Sequence, residues 1–135
     1  MDRKTARAQA MKLVYEWEMG GEGGEATFEN LLEVTPGEKE FDFMNGLVEG
    51  VKQNAAALDE RLSAYVRGWS LERVTRVDLA ILRIAAYELT QGKTNERIVI
   101  NEAVELANQY STDKAGAFIN GVLGSLARGL GDGQA

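Results

Sequence analysis

The stretch VDLAILRIAAYEL, residues 77–89, restricts the fold of this chain more than any other. Its apolar residues recur at helical spacing, yet they cover nearly the whole circumference. A surface helix carries one apolar stripe, whereas a helix that is apolar all round is enclosed by neighbours. The sequence therefore demands one buried helix and enough further helices to wrap it. Strand-like alternation is scarce and Pro36 is the only proline, so an all-α fold is expected.

The remaining segments supply the wrapping. Residues 3–19 place Ala6, Ala10, Leu13, Val14 and Trp17 on one stripe, with Arg3, Arg7 and Lys12 off it. GGEGGE, residues 20–25, ends that helix, and a short helix is expected near Thr27 to Glu33. Thr35 and Pro36 form a helix entry. The next helix carries Phe41, Met44, Leu47, Val48 and Val51, with a break expected at Asn54 before Leu58, Leu62 and Tyr65. Ser70 is expected to cap a new start after Gly68-Trp69. TQGKTNER is a loop, and Asn95 or Glu96 opens a helix bearing Val99, Ala103, Leu106 and Tyr110. The last helix begins after Ser111-Thr112-Asp113. It contains Gly121 and Gly124, each costing about 1 kcal/mol in a helix, and close approach to a neighbouring helix is the expected compensation. This gives about seven helices in one domain over residues 1–135, a length that fits a single core without staples.

Two charges lie inside the most apolar helix. Arg83 and Glu88 are five apart and do not meet on one face. Each is expected to pair with another helix, because an unpaired buried charge is costly; Glu102 and Glu105 are candidates for Arg83. Asp78 lies at the N-terminal end of the same helix, where the dipole favours an acid and where the helix should emerge from the core.

The chain has no cysteine and no histidine. That excludes disulfides, Cys or His nucleophile–base pairs and Cys/His metal sites. Catalysis would have to rest on carboxylates, Lys, Ser or Tyr; no catalytic, metal or cofactor site is expected. No apolar run is long enough to span a bilayer, and MDRKTARAQAMK lacks a signal-peptide apolar core, so a cytoplasmic location is expected.

The net charge of -6 argues against a polyanion partner, but its distribution argues the other way. Arg3, Lys4, Arg7 and Lys12 face only Asp2 within residues 1–14. Arg3, Lys4 and Arg7 cluster within about one and a half turns, the arrangement that tracks phosphates. Basic residues on the solvent face of a first helix are also commonplace. Phe118 has two readings as well: core, or a stacking platform for an unpaired base.

The segments ARAQAMKLVYEWE, VDLAILRIAAYEL, INEAVELA and FINGVLG occur in this order. Together they resemble the NusB family of bacterial transcription antitermination factors over nearly the whole chain. The resemblance implies an all-helical fold of two small helical subdomains. It also implies binding to the boxA element of ribosomal RNA transcripts together with NusE, a ribosomal small-subunit protein, within a larger complex with NusA, NusG and RNA polymerase. By resemblance the RNA side holds Arg3, Lys4, Arg7, Tyr15, Lys114 and Phe118, and Asp78 faces NusE. This copy is poorer in arginine than many relatives, and Lys114 stands where some have an acid. NusB-like domains also precede ribosomal RNA cytosine methyltransferase domains, whose reaction needs cysteines that this chain lacks. A non-catalytic helical domain acting in self-association, as in dimeric relatives, or in ribosomal RNA maturation stays open as the alternative.

Overall fold

The computed structural model describes residues 2–20, 39–66 and 70–131. Five α-helices run in chain order: α1 (Arg3–Glu18), α2 (Phe41–Ser63), α3 (Arg76–Gln91), α4 (Glu96–Tyr110) and α5 (Ala115–Gly131), with one 3-10 turn, Leu71–Arg73, between α2 and α3. Among the described residues there is no strand. The all-α class is as expected, but the α-helices among the described residues number five, not about seven. The short helix expected near Thr27 to Glu33 lies outside the described residues.

Two of the missing boundaries have a local cause. Asn54 does not break α2. Its amide Nδ2 donates to the carbonyl oxygen of Gly50 at 2.8 Å, so the side chain bonds back onto the turn beneath it and the helix continues. Ser70 begins only the 3-10 turn. The true start is Thr75, whose Oγ1 accepts from the Asp78 N–H at 3.2 Å. The other ends follow common capping chemistry. Asp2 accepts from the Thr5 N–H at 2.7 Å and opens α1. Asn95 accepts from the Arg97 N–H at 2.8 Å and opens α4. Gly92 closes α3 in the left-handed conformation, φ 67, a terminus glycine adopts without penalty.

α3 is the axle. It packs on α1 and α2 on one side and on α4 and α5 on the other. The two groups are not separate cores: buried side chains from all five helices form one continuous cluster. Ala80, Leu82, Ile84 and Ala85 of α3 are buried, as are Val99, Ala103, Leu106 and Ala107 of α4; Val104 is only half-buried. Each fully enclosed Leu or Ile contributes roughly 1.5–3 kcal/mol.

Arg83 is paired, but not with α4. Its Nε and Nη2 donate to both oxygens of Asp59 in α2 at 2.9 and 2.7 Å, and Nη1 donates to Glu18 of α1 at 3.0 Å. One guanidinium thus ties three helices. The glycines that permit close approach are also different ones. Nothing lies within 4 Å of a Cβ on Gly121, and on Gly124 it would make only ordinary contact with Arg128. A Cβ on Gly50 would run into the Tyr87 ring, where α2 crosses α3, and one on Gly116 would meet Asn108 Oδ1 at 2.6 Å, where α5 meets α4.

Candidate nucleic-acid interface and partner surface

α1 carries two different surfaces, one toward each end. At its start, Arg3 and Lys4 project into solvent, their side chains 54% and 60% exposed. The Arg3 guanidinium lies over the Phe43 ring of α2, 4.0 Å from the centroid, and its Nε donates to Glu40 at 2.8 Å. Lys4 reaches across to α4, where its ammonium bonds Glu105 closely and Glu102 at 3.4 Å. The Glu105 hydrogen bond is the main reason the Lys4 pKa is raised and that of Glu105 lowered. These long side chains bridge a groove of about 340 Å³ between α1 and α4.

Arg7 does not belong to this exposed group. Its side chain is 6% exposed, and Nε and Nη2 form a forked pair with Glu88 of α3 at 2.8 and 2.9 Å. Periodicity along α1 places Arg7 off the apolar stripe, but α3 brings a buried carboxylate against that edge. The guanidinium is therefore a strut between α1 and α3. The pair also satisfies Glu88, whose need for a partner on another helix the sequence announces.

Lys114 is exposed immediately before α5 and forms no ion pair among the described residues. Phe118, in the first turn of α5, is half-buried with its ring packed against the core. It combines the two sequence readings: part of the ring is core, and part is open.

The second surface is apolar. Met11, Tyr15 and Met19 of α1, Val77 of α3 and Tyr110 of α4 line an open depression of about 620 Å³, flanked by Lys12 and Glu16. Met19 is 60% exposed, and Tyr15 and Tyr110 also face outward. The Lys12 ammonium sits 5.2 Å from the Tyr110 ring centroid. Tyr15 thus lies with Val77, next in sequence to Asp78, and not with Arg3 and Lys4. Asp78 itself does not emerge from the core: it is 7% exposed, because Ser111 at the end of α4 donates its hydroxyl to the carboxylate at 2.6 Å. That bond fixes where α3 starts relative to where α4 stops, and so shapes the depression from beneath. The sequence singled out Tyr15 and Asp78 but missed Met19 and Tyr110, since a shared surface built from three helices leaves no local pattern.

No helix among the described residues is long and apolar enough to cross a membrane, and no cluster of His, Cys, Asp or Glu there could hold a metal ion.

The chain is similar to known proteins over nearly its whole length. The NusB family model matches residues 4–128. A transcription antitermination protein NusB from Staphylococcus carnosus is 40% identical over 129 residues, covering 93% of this chain and 99% of the relative. Its counterpart from Clostridium botulinum is 34% identical over 142 residues, with the same coverage. Among solved structures, NusB from T. maritima superimposes with a TM-score of 0.84 at 31% identity, covering 95% of this chain and 92% of that one. A crystal structure of antitermination factors NusB and NusE in complex with double-stranded RNA contains a chain matching at TM-score 0.82 and 25% identity, with 93% and 96% covered.

Proposed function

The chain belongs to the NusB family, and on that premise we propose that it is a transcription antitermination factor that binds boxA RNA of ribosomal RNA transcripts together with NusE. The observation that carries this reading is the division of α1: exposed cations at its start and an exposed Tyr–Met surface at its end. Lys4 and Tyr15 are eleven residues apart, about 16 Å along one helix. One rigid element therefore presents a phosphate-binding end and a protein-binding end. The solved NusB–NusE–RNA assembly supports the pairing of those two partners.

On the RNA side, Arg3, Lys4 and Lys114 contact phosphates and the open part of Phe118 stacks on a base; Arg7 acts only by holding α1 in place. On the protein side, NusE covers Tyr15, Met19, Val77 and Tyr110, with Asp78 behind them as the group that positions the surface. Burying aromatic and Met side chains is what gives such interfaces most of their energy. Assembly with NusA, NusG and RNA polymerase in the cytoplasm follows from this reading.

Fluorescence anisotropy with a labelled boxA RNA tests it. The chain should bind boxA more tightly than a scrambled RNA, and added NusE should tighten binding further. Equal affinity for both RNAs with no response to NusE overturns the proposal. Sedimentation of the chain alone, over a range of concentrations, tests the homodimer, which would bury the same apolar depression.

A further inference from the structure

The exposed cations at the start of α1 are already occupied. Arg3 Nε donates to Glu40, and the Lys4 ammonium is held by Glu105 and Glu102. Carboxylate and phosphate oxygens use the same donors in the same way. An RNA phosphate that takes the same donors must displace a carboxylate that belongs to the chain itself.

A second observation singles out Glu40. Its backbone is left-handed, φ 70, and it is the only non-glycine residue with positive φ among those described. An L-residue is strained there. The side chain stands at the N-cap position of α2 but makes no capping hydrogen bond. Instead it is turned onto Arg3 and is only 18% exposed. The strained backbone coincides with a carboxylate delivered to the Arg3 guanidinium.

We infer that Glu40 and Glu105 are built-in competitors of RNA phosphate, holding Arg3 and Lys4 closed until a strand supplies two neighbouring phosphates together. The inference rests on the proposed RNA reading of α1. A lone anion exchanges one ion pair for another and gains little. A strand that has displaced one carboxylate presents its next phosphate at high effective concentration to the second. The pairs therefore suppress weak, single-contact binding and favour a continuous strand, a selectivity the cations alone would not provide.

The test is anisotropy with single-stranded boxA RNA at one fixed salt concentration, using the full chain, with thermal melts of every variant. Glu105→Gln and Glu40→Gln should each tighten binding about two- to fivefold, the equivalent of removing one exposed ion pair that RNA would otherwise break. Glu40→Gly removes the carboxylate and the strain together; it should tighten binding equally and melt no lower than the parent. Glu105→Gln should have no effect in a Lys4→Ala background, nor Glu40→Gln in an Arg3→Ala background. If Arg3→Ala and Lys4→Ala weaken binding but the Gln variants bind as the parent does, the carboxylates are bystanders and the inference falls while the RNA reading stands. Tightening that persists in the Ala backgrounds is bulk charge, not competition, and also overturns it. If Arg3→Ala and Lys4→Ala leave binding unchanged, the RNA reading of α1 itself fails.

Discussion

Arg7 and Glu88 are the residues at which a solvent-facing and a structural reading part most sharply. Both side chains are almost fully enclosed and hydrogen-bonded to one another, so Arg7→Ala strands a buried carboxylate. Breaking one side of such a pair costs about 3–5 kcal/mol, and urea denaturation should show that loss. Once corrected for the unfolded fraction, RNA affinity should be unchanged. Glu18 provides the pH-dependent counterpart. Its side chain is fully buried, one oxygen has no partner, and it shares Arg83 with Asp59. Burial pushes its pKa up to about 7, against the pull of Arg83 and, more weakly, Arg76. The unfolded chain loses this proton near pH 4.5 while the folded chain keeps it to about 7. Stability should therefore fall as pH rises from about 5 to 7. Glu18→Gln should flatten that fall while Asp59 keeps its hold on Arg83; melting temperatures of both proteins across this window, sloping alike, would remove Glu18 as the cause. Asp78 belongs at this scale too. Reversal to Arg breaks the Ser111 bond and buries a cation, so Asp78→Arg should lower the melting temperature as well as weaken NusE binding. Asp78→Asn, which can still accept from Ser111, should melt close to the parent, and calorimetry with NusE then isolates the carboxylate's own share.

Among the elements, α1 and α5 make the two proposed RNA contributions separable. Replacing Arg3 and Lys4 together by Ala should reduce the log–log salt slope of boxA binding by about 0.7 for each single-strand phosphate that is no longer neutralised. Phe118→Ala should weaken binding by about 1–3 kcal/mol and leave the slope nearly unchanged. Because the Phe118 ring also packs on the core, melts must accompany the binding curves; normal affinity in a destabilised Phe118→Ala protein would make the residue core alone. Tyr15→Ala should instead weaken NusE binding, with no change in affinity or salt slope for RNA. How far each element was legible follows from where its partners lie. α3 announces itself because its apolar girth is a local property. The continuity of α2 through Asn54 is also local, yet it depends on a side chain bonding its own helix, which composition does not reveal. Arg7 could not be placed from α1 alone: Glu88 is 81 residues away.

The described residues share a single core around α3, and the two proposed surfaces meet on α1. That architecture makes RNA and NusE binding thermodynamically linked if both partners prefer the same placement of α1. Linkage is reciprocal: the factor by which NusE raises RNA affinity must equal the factor by which RNA raises NusE affinity. Calorimetric titrations performed in both orders should return the same factor. The fold class, most of the buried set and the basic residues were readable from spacing and residue type. The acids that answer those basic residues were not, since Glu40, Glu88, Glu102 and Glu105 meet α1 only after the chain has folded.

The ion pair between Lys4 and Glu105 closes a loop of 101 residues. A ribosome adding about 5–20 residues per second makes Lys4 roughly 5–20 s before it makes the partner. During that interval, α1 carries cations with no α4 carboxylates to temper them. Nascent and prematurely ended chains are therefore expected to be less discriminating polyanion binders, since restraint on Lys4 arrives only with the fourth helix.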